Sequence, residues 1–258
     1  MENFGPIISN YYDEYKMVFS ARDDFLLTAL GNRLDVWSTA PWGLLKSFTS
    51  HLYDIMQIQI SKDGKLIASS GFPAILTLWD LDSGLNVSEK LLERGISALA
   101  FSPDAEFLAI ALEGAVRNNT ILKPSICVYR VKFRRLEMVW RADSALSHSR
   151  TSLVFSSNRE LLVATGYTIR IWDIMSQQLL GIVGRHENPI IRLVVSYDNM
   201  ALASMDSHRL KFWGLRSEGM LETNTEELNH RKIRWLGLSG DGKTLTADFS
   251  MIIKMALC

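Results

Sequence analysis

The chain has 258 residues, 47% hydrophobic and 22% charged, enough to bury one all-β core or two small ones. Twenty-eight Lys and Arg balance 28 Asp and Glu, so the basic excess that nucleic acid and anionic membranes select is missing and neither partner is expected. Cys127 and Cys258 are too few and too far apart for a disulfide framework or a zinc site. They suit a reducing compartment, so the cytoplasm is the expected location, with the nucleus as alternative.

Read from the N-terminus, six short apolar runs end in serine, at 20, 61, 102, 156, 196 and 239, with intervals of 41, 41, 54, 40 and 43 residues. A period of about 40 residues marks a repeat architecture. After each serine comes a polar turn (ARDD, KDGK, PDAE, SNRE, YDNM, GDGK) and then a second run, such as KLIASS (65–70) or EFLAIA (106–111). Two β-rich runs joined by Asp, Asn and Gly predict a hairpin. A third run alternates apolar and polar residues, the period of a half-buried strand. Its aromatic slot holds Trp37, Trp79, Tyr129, Trp172 and Trp213, and finally Ala256. A fourth, weaker run follows, as in LLGIV (179–183).

Histidines precede most first runs: His51, His148, His186 and His230, four of the five in the chain. Shared repeat position predicts a structural role, a hydrogen-bonding side chain pinning each unit, together with Trp37, Trp79, Trp172 and Trp213. No metal cluster is expected from them.

The phrases IASSGFPAILTLWDLDSG (67–84) and LVATGYTIRIWDIMSQ (162–177) match the blade pattern of the WD-repeat family, which the chain resembles over residues 8 to 258. The resemblance implies one all-β domain over 1–258: a β-propeller of four-stranded antiparallel blades. Six blades are expected, with an incomplete ring of seven as the alternative. The pattern is worn. Family members often carry an Asp before the third strand, tied to the repeat histidine, and here only Asp206 is a candidate. Gly95 replaces histidine in the third repeat, so incomplete hydrogen-bond tetrads are expected in most blades. The sixth set stops after its third strand. An open ring exposes a sheet edge, so residues 4–10 are expected to pair beside 252–257 and close it.

No nucleotide, metalloprotease, hydrolase or paired-cysteine motif occurs. Turn geometry accounts for Asp63, Asp104, Asp198 and Asp241, and Cys127 reads as a buried, inert thiol. The chain is therefore read as no enzyme, without cofactor or metal. Irregularity is confined to the third repeat. A long loop (113–125) carries Arg117 and Lys123, and Arg130, Lys132 and Arg134 alternate as if on one strand face.

The resemblance implies a scaffold or adaptor, a monomer or a subunit of a complex, that binds proteins or peptides. The expected docking face carries the segments before each first strand and the loops before each third. It would present Tyr53, Phe72, Arg94, Arg117, Tyr167, Asn188, Asp206, His208 and Arg231. Four alternatives stand beside it. One is a stand-alone sensor module similar to the arrays of fungal NACHT-type signalling proteins. Another is a phosphoinositide-binding propeller, from Phe133-Arg134-Arg135 with Leu136 where that motif has glycine. A third is a ubiquitin-ligase substrate receptor, from Trp213-Gly214-Leu215-Arg216 with Gly214 where that box has Asp. The last is a propeller oxidoreductase.

Overall fold

The computed structural model describes residues 16–20, 24–49, 51–117, 120–143, 151–156, 160–196, 201–216, 219–227, 236–238, 244–247 and 251–254. Among these residues there is no helix, hence none long and apolar enough to cross a membrane. The repeats fold into separate antiparallel sheets. The first blade is β1 (Lys16–Phe19), β2 (Phe25–Leu30), β3 (Arg33–Thr39) and β4 (Trp42–Phe48). The second is β5 (Ile55–Ile60), β6 (Leu66–Gly71), β7 (Ile75–Asp80) and β8 (Asn86–Leu91). In the third, β9 (Ile96–Phe101) and β10 (Phe107–Leu112) are followed by a separate two-stranded hairpin, β11 (Ala115–Arg117) with β12 (Thr120–Leu122). The blade then resumes with β13 (Ser125–Lys132) and β14 (Arg135–Asp143). The fourth is β15 (Thr151–Phe155), β16 (Glu160–Thr165), β17 (Thr168–Asp173) and β18 (Gln178–Arg185). The fifth is β19 (Arg192–Val195), β20 (Ala201–Met205), β21 (Arg209–Arg216) and β22 (Gly219–Glu227). The sixth repeat gives a three-stranded sheet, β23 (Leu236–Leu238), β24 (Thr244–Ala247) and β25 (Met251–Lys254). The segment expected to close the ring, residues 4–10, lies outside the described residues, as does Ala256.

The repeated serine has a local cause. The hydroxyls of Ser20, Ser61, Ser102 and Ser196 accept the backbone N–H five residues on, from Phe25, Leu66, Phe107 and Ala201, at 2.9–3.0 Å. Ser61 and Ser102 also donate to Asp63 and Asp104 at 2.6 Å. Each serine therefore ties off the turn between the first two strands and satisfies an N–H that the ladder leaves over.

First strands of successive blades lie side by side, β1 by β5, β5 by β9, and so on to β19 by β23. Apolar layers fill the wedges between blades. Leu27, Leu34 and Val36 of the first meet Ile58, Ile67 and Trp79 of the second. Leu76 and Leu78 meet Leu108 and Ile110. Ala109, Val128 and Trp140 meet Leu153, Phe155 and Trp172, and Ile169 meets Leu202 and Trp213. A middle strand covered on both faces cannot alternate, which explains the continuously buried β6 and β10. Each such Leu or Ile contributes about 1.5–3 kcal/mol relative to exposure.

Candidate interaction surface

A blade of this topology has two ends. At the turn end lie the turns between first and second and between third and fourth strands. At the crossing end lie the loops between second and third strands and the passages into the next blade. Two of these crossing-end loops are stitched to the passage into the next blade: Ile55 N–H donates to Gly31 O (2.7 Å) and Ile190 N–H to Gly166 O (2.6 Å). Leu92 N–H to Ala74 O (2.9 Å) and Glu113 N–H to Gly95 O (2.8 Å) extend the ladders within the second and third blades.

Beneath them runs a buried polar bracing. In the fifth blade the Trp213 indole N–H donates to Ser204 Oγ at 2.7 Å. His186 Nε2 lies 2.7 Å from the same oxygen, and His186 Nδ1 lies 2.8 Å from Asp206 Oδ2. Because Ser204 already accepts from tryptophan, its own hydrogen points to Nε2. The imidazole proton is therefore on Nδ1 and is donated to Asp206. Burial pushes the Asp206 carboxyl up. The N–H groups of His208 and Arg209 and the His186 ring outweigh that and hold it below its ordinary value.

The second blade repeats three of these four parts. Trp79 N–H donates to Ser69 Oγ at 2.8 Å, and His51 Nε2 lies 2.7 Å from it. Gly71 stands in the register of Asp206, and His51 Nδ1 has no hydrogen-bond partner. Burial lowers the His51 pKa, partly opposed by Glu89. In the first blade Trp37 donates to Thr28 Oγ1 at 3.0 Å. In the third and fourth, Ile110 and Val163 take the place of the hydroxyl. His148 and His230 lie outside the described residues.

The third blade has its own brace. Arg94 was expected on the docking face but is only 5% exposed. It donates to Lys123 O (2.5 Å) and to Ser125 Oγ (2.6 Å), pinning the base of the inserted hairpin, and pairs with Glu93 at 3.2 Å. Asp206, also expected at the surface, is 1% exposed because its carboxylate serves His186.

The other expected contact residues divide as follows. Tyr53, Phe72, Tyr167 and His208 are exposed at the crossing end, and Asn188 is half-buried there. Arg117 ends β11, and Arg231 lies outside the described residues. Sequence reasoning missed Leu30, Leu52 and Met56, exposed apolar residues on or next to the same crossing-end segments. The Tyr53 and Phe72 rings meet edge to face, with centroids 5.4 Å apart at 81°. The apolar sequence next to a repeat histidine was the available signal.

At the turn end, Asp80 Oδ1 accepts from Ser83 N–H and Oγ–H at 2.8 and 2.6 Å, and Arg134 lies 2.9 Å from Oδ2. Lys46 reaches the Leu81 carbonyl and, at 2.6 Å, that of Asp82. Phe133 and Arg134 form the tight turn of the β13–β14 hairpin, both with positive φ. Arg134 thus leaves the strand face expected to hold it with Arg130 and Lys132, and Leu136 is buried. Gly214 is a ladder residue opposite Ala201. The first strands of five blades leave a cavity of about 240 Å³ lined by Phe19, Ile60, Phe101, Phe155 and Val195, with Lys62 the one charged residue described in its wall. That is below the volume of typical small-molecule sites, about 300–1,000 Å³. Among the described residues no three acidic, histidine or cysteine side chains group to hold a metal.

Comparison with known proteins agrees with this geometry. The model of the WD domain, G-beta repeat, matches residues 42–80. The p21-activated protein kinase-interacting protein 1-like of Danio rerio is 26% identical over 190 residues, 72% of this chain and 48% of that protein. The small ribosomal subunit protein RACK1 of Drosophila melanogaster is 30% identical over 142 residues, covering 54% and 43%. The cross-pathway control WD-repeat protein 2 of Flammulina velutipes is 30% identical over 146 residues, covering 55% and 44%. The chain therefore spans less than half the length of these relatives. The crystal structure of the Cps50 (Swd1) β-propeller domain from Myceliophteria thermophila shares the fold. Its TM-score is 0.76 at 13% identity, covering 90% of this chain and 79% of that one. Four-stranded blades, a serine-tied turn in each of four blades, a His–Ser–Trp–Asp brace and the repeat match at 42–80 together show a β-propeller fold that carries a WD repeat.

Proposed function

We propose that this chain is a non-catalytic interaction module that docks a partner protein or peptide on its crossing end, at the junction of the first and second blades. The observation that carries the reading is the exposed apolar corner of Leu30, Leu52, Tyr53, Met56 and Phe72, where three loops from two blades converge. Exposed apolar patches mark interaction sites, and the touching pair of exposed aromatics supplies the anchor such a site needs. The fold suits the task, since loops on a braced ring are held ready without ordering on binding. The name of the zebrafish relative describes a kinase-interacting protein, which is in keeping with this class of role.

The same reading makes the ring six-bladed. The outer edge of β25 has no strand beside it among the described residues, and the apolar N-terminal segment 4–10 is the element that would cover it.

The test is affinity capture with the full chain against a Tyr53→Ala/Phe72→Ala double variant, with partners compared by quantitative mass spectrometry. The reading expects partners depleted at least about tenfold on the variant, the loss of one or two interface anchors. An unchanged partner set would overturn it.

A further inference from the structure

The docking corner has a charge as well as an apolar surface. Asp54 follows Tyr53 directly and is exposed. Its Oδ1 lies 3.7 Å from the point where a Cβ on Gly31 would stand. Gly31 has φ +56° and closes the β2–β3 turn, so the carboxylate sits over a bare turn. None of the ion pairs among the described residues involves Asp54. Beside it, Tyr53 is 54% and Phe72 63% exposed. The two rings meet edge to face, and each residue stays more than half exposed.

Aromatic faces attract cations through the ring quadrupole, and an exposed carboxylate adds a second attraction of the same sign. Leu30, Leu52 and Met56 supply apolar surface around the pair but no charge. The complement of this arrangement is a positive group next to a greasy one.

Resting on the docking reading above, we propose that the Tyr53–Phe72 corner and Asp54 together receive a lysine or arginine side chain, carried next to an apolar residue on an extended segment of the partner. The aromatic rings take the alkyl stem and face the cationic head, Asp54 pairs with that head, and Leu52 and Leu30 cover the apolar neighbour.

The experiment is selection of a phage-displayed random dodecapeptide library on the full chain and on Asp54→Asn and Tyr53→Ala/Phe72→Ala variants, each first shown to melt like the parent. The parent should enrich peptides with Lys or Arg adjacent to an apolar residue, and their sequences will tell lysine from arginine. A synthetic winner should bind Asp54→Asn up to about fivefold more weakly, the scale of one exposed ion pair, and bind the parent more weakly as salt rises. Its Gln-substituted version should bind parent and Asp54→Asn alike. If neutral or acidic peptides are enriched, or the basic preference persists on Asp54→Asn, the cation assignment is overturned while the docking face stands, provided binding still needs Tyr53 and Phe72. If no peptide depends on Tyr53 and Phe72, both readings fall.

Discussion

His186 and Asp206 meet at 2.8 Å inside the fifth blade, whereas His51, the matching residue of the second, faces Gly71 with its Nδ1 unpartnered. The two blades thus form a natural experiment on the worth of one carboxylate. Asp206→Ala leaves the His186 Nδ1–H buried without an acceptor, a loss of about 1–3 kcal/mol. Urea unfolding should show that drop. A change within about 0.5 kcal/mol, the range of bland surface substitutions, would mean the pair is ornamental.

Restoring the missing carboxylate is not expected to help. A Cβ on Gly71 would stand 2.9 Å from the Asp54 carbonyl oxygen and 2.9 Å from His51 Nδ1. The first of these is backbone and cannot swing aside. Gly71→Asp should therefore lower the melting temperature, with an overpacking cost of about 1–3 kcal/mol. A variant more stable than the parent would show that the 51–54 passage yields.

Two groups predict two pH windows. The folded His51 ring has its pKa lowered by burial, so below about pH 6.5 the unfolded chain binds a proton that the native state refuses. Stability should fall as pH drops from about 6.5 to the folded pKa of the ring and change no further on that account. Asp206 is held below 3.8, because hydrogen bonds from His208, His186 and Arg209 outweigh the burial that would raise it. Its contribution is present above that value and is lost as pH falls through the folded pKa. Melting curves from pH 8 to 3 should show both steps in the parent, and the acid step alone in His51→Gln. A persistent upper step in that variant would clear His51.

Arg94 anchors the inserted hairpin rather than a partner. Arg94→Ala strands Ser125 Oγ and the Lys123 carbonyl, and hydrogen bonds to charged groups contribute about 1.5–3 kcal/mol each. Hydrogen exchange should speed up across 113–125 while the fifth blade keeps its protection. Uniform protection in the variant would remove the anchoring role. Arg94→Lys should not restore it, since one ammonium cannot span both acceptors in the guanidinium's fork.

The repeat was legible because each serine closes its own turn and each aromatic fills a fixed slot, both of which leave a periodic trace. Asp206 was legible for the same reason. Arg94 was not, because a repeat that lacks its histidine gives no hint that an arginine one residue from Gly95 has turned inward. Arg134 misled in a similar way. Its alternation with Arg130 and Lys132 reads as a strand face, but the chain turns at Phe133, and Asp80 on the neighbouring blade captures it. The docking corner was half legible: Tyr53 and Phe72 were named singly, but their contact depends on how the 51–54 passage lies against Gly71 of the second blade.

Hydrogen–deuterium exchange of the chain with and without a captured partner tests the central claim most directly. Protection on binding should centre on 49–54 and 71–75, with 81–85 and the Phe133–Arg134 turn unchanged. Protection confined to that turn end, with the Tyr53–Phe72 corner exchanging as before, would contradict the account.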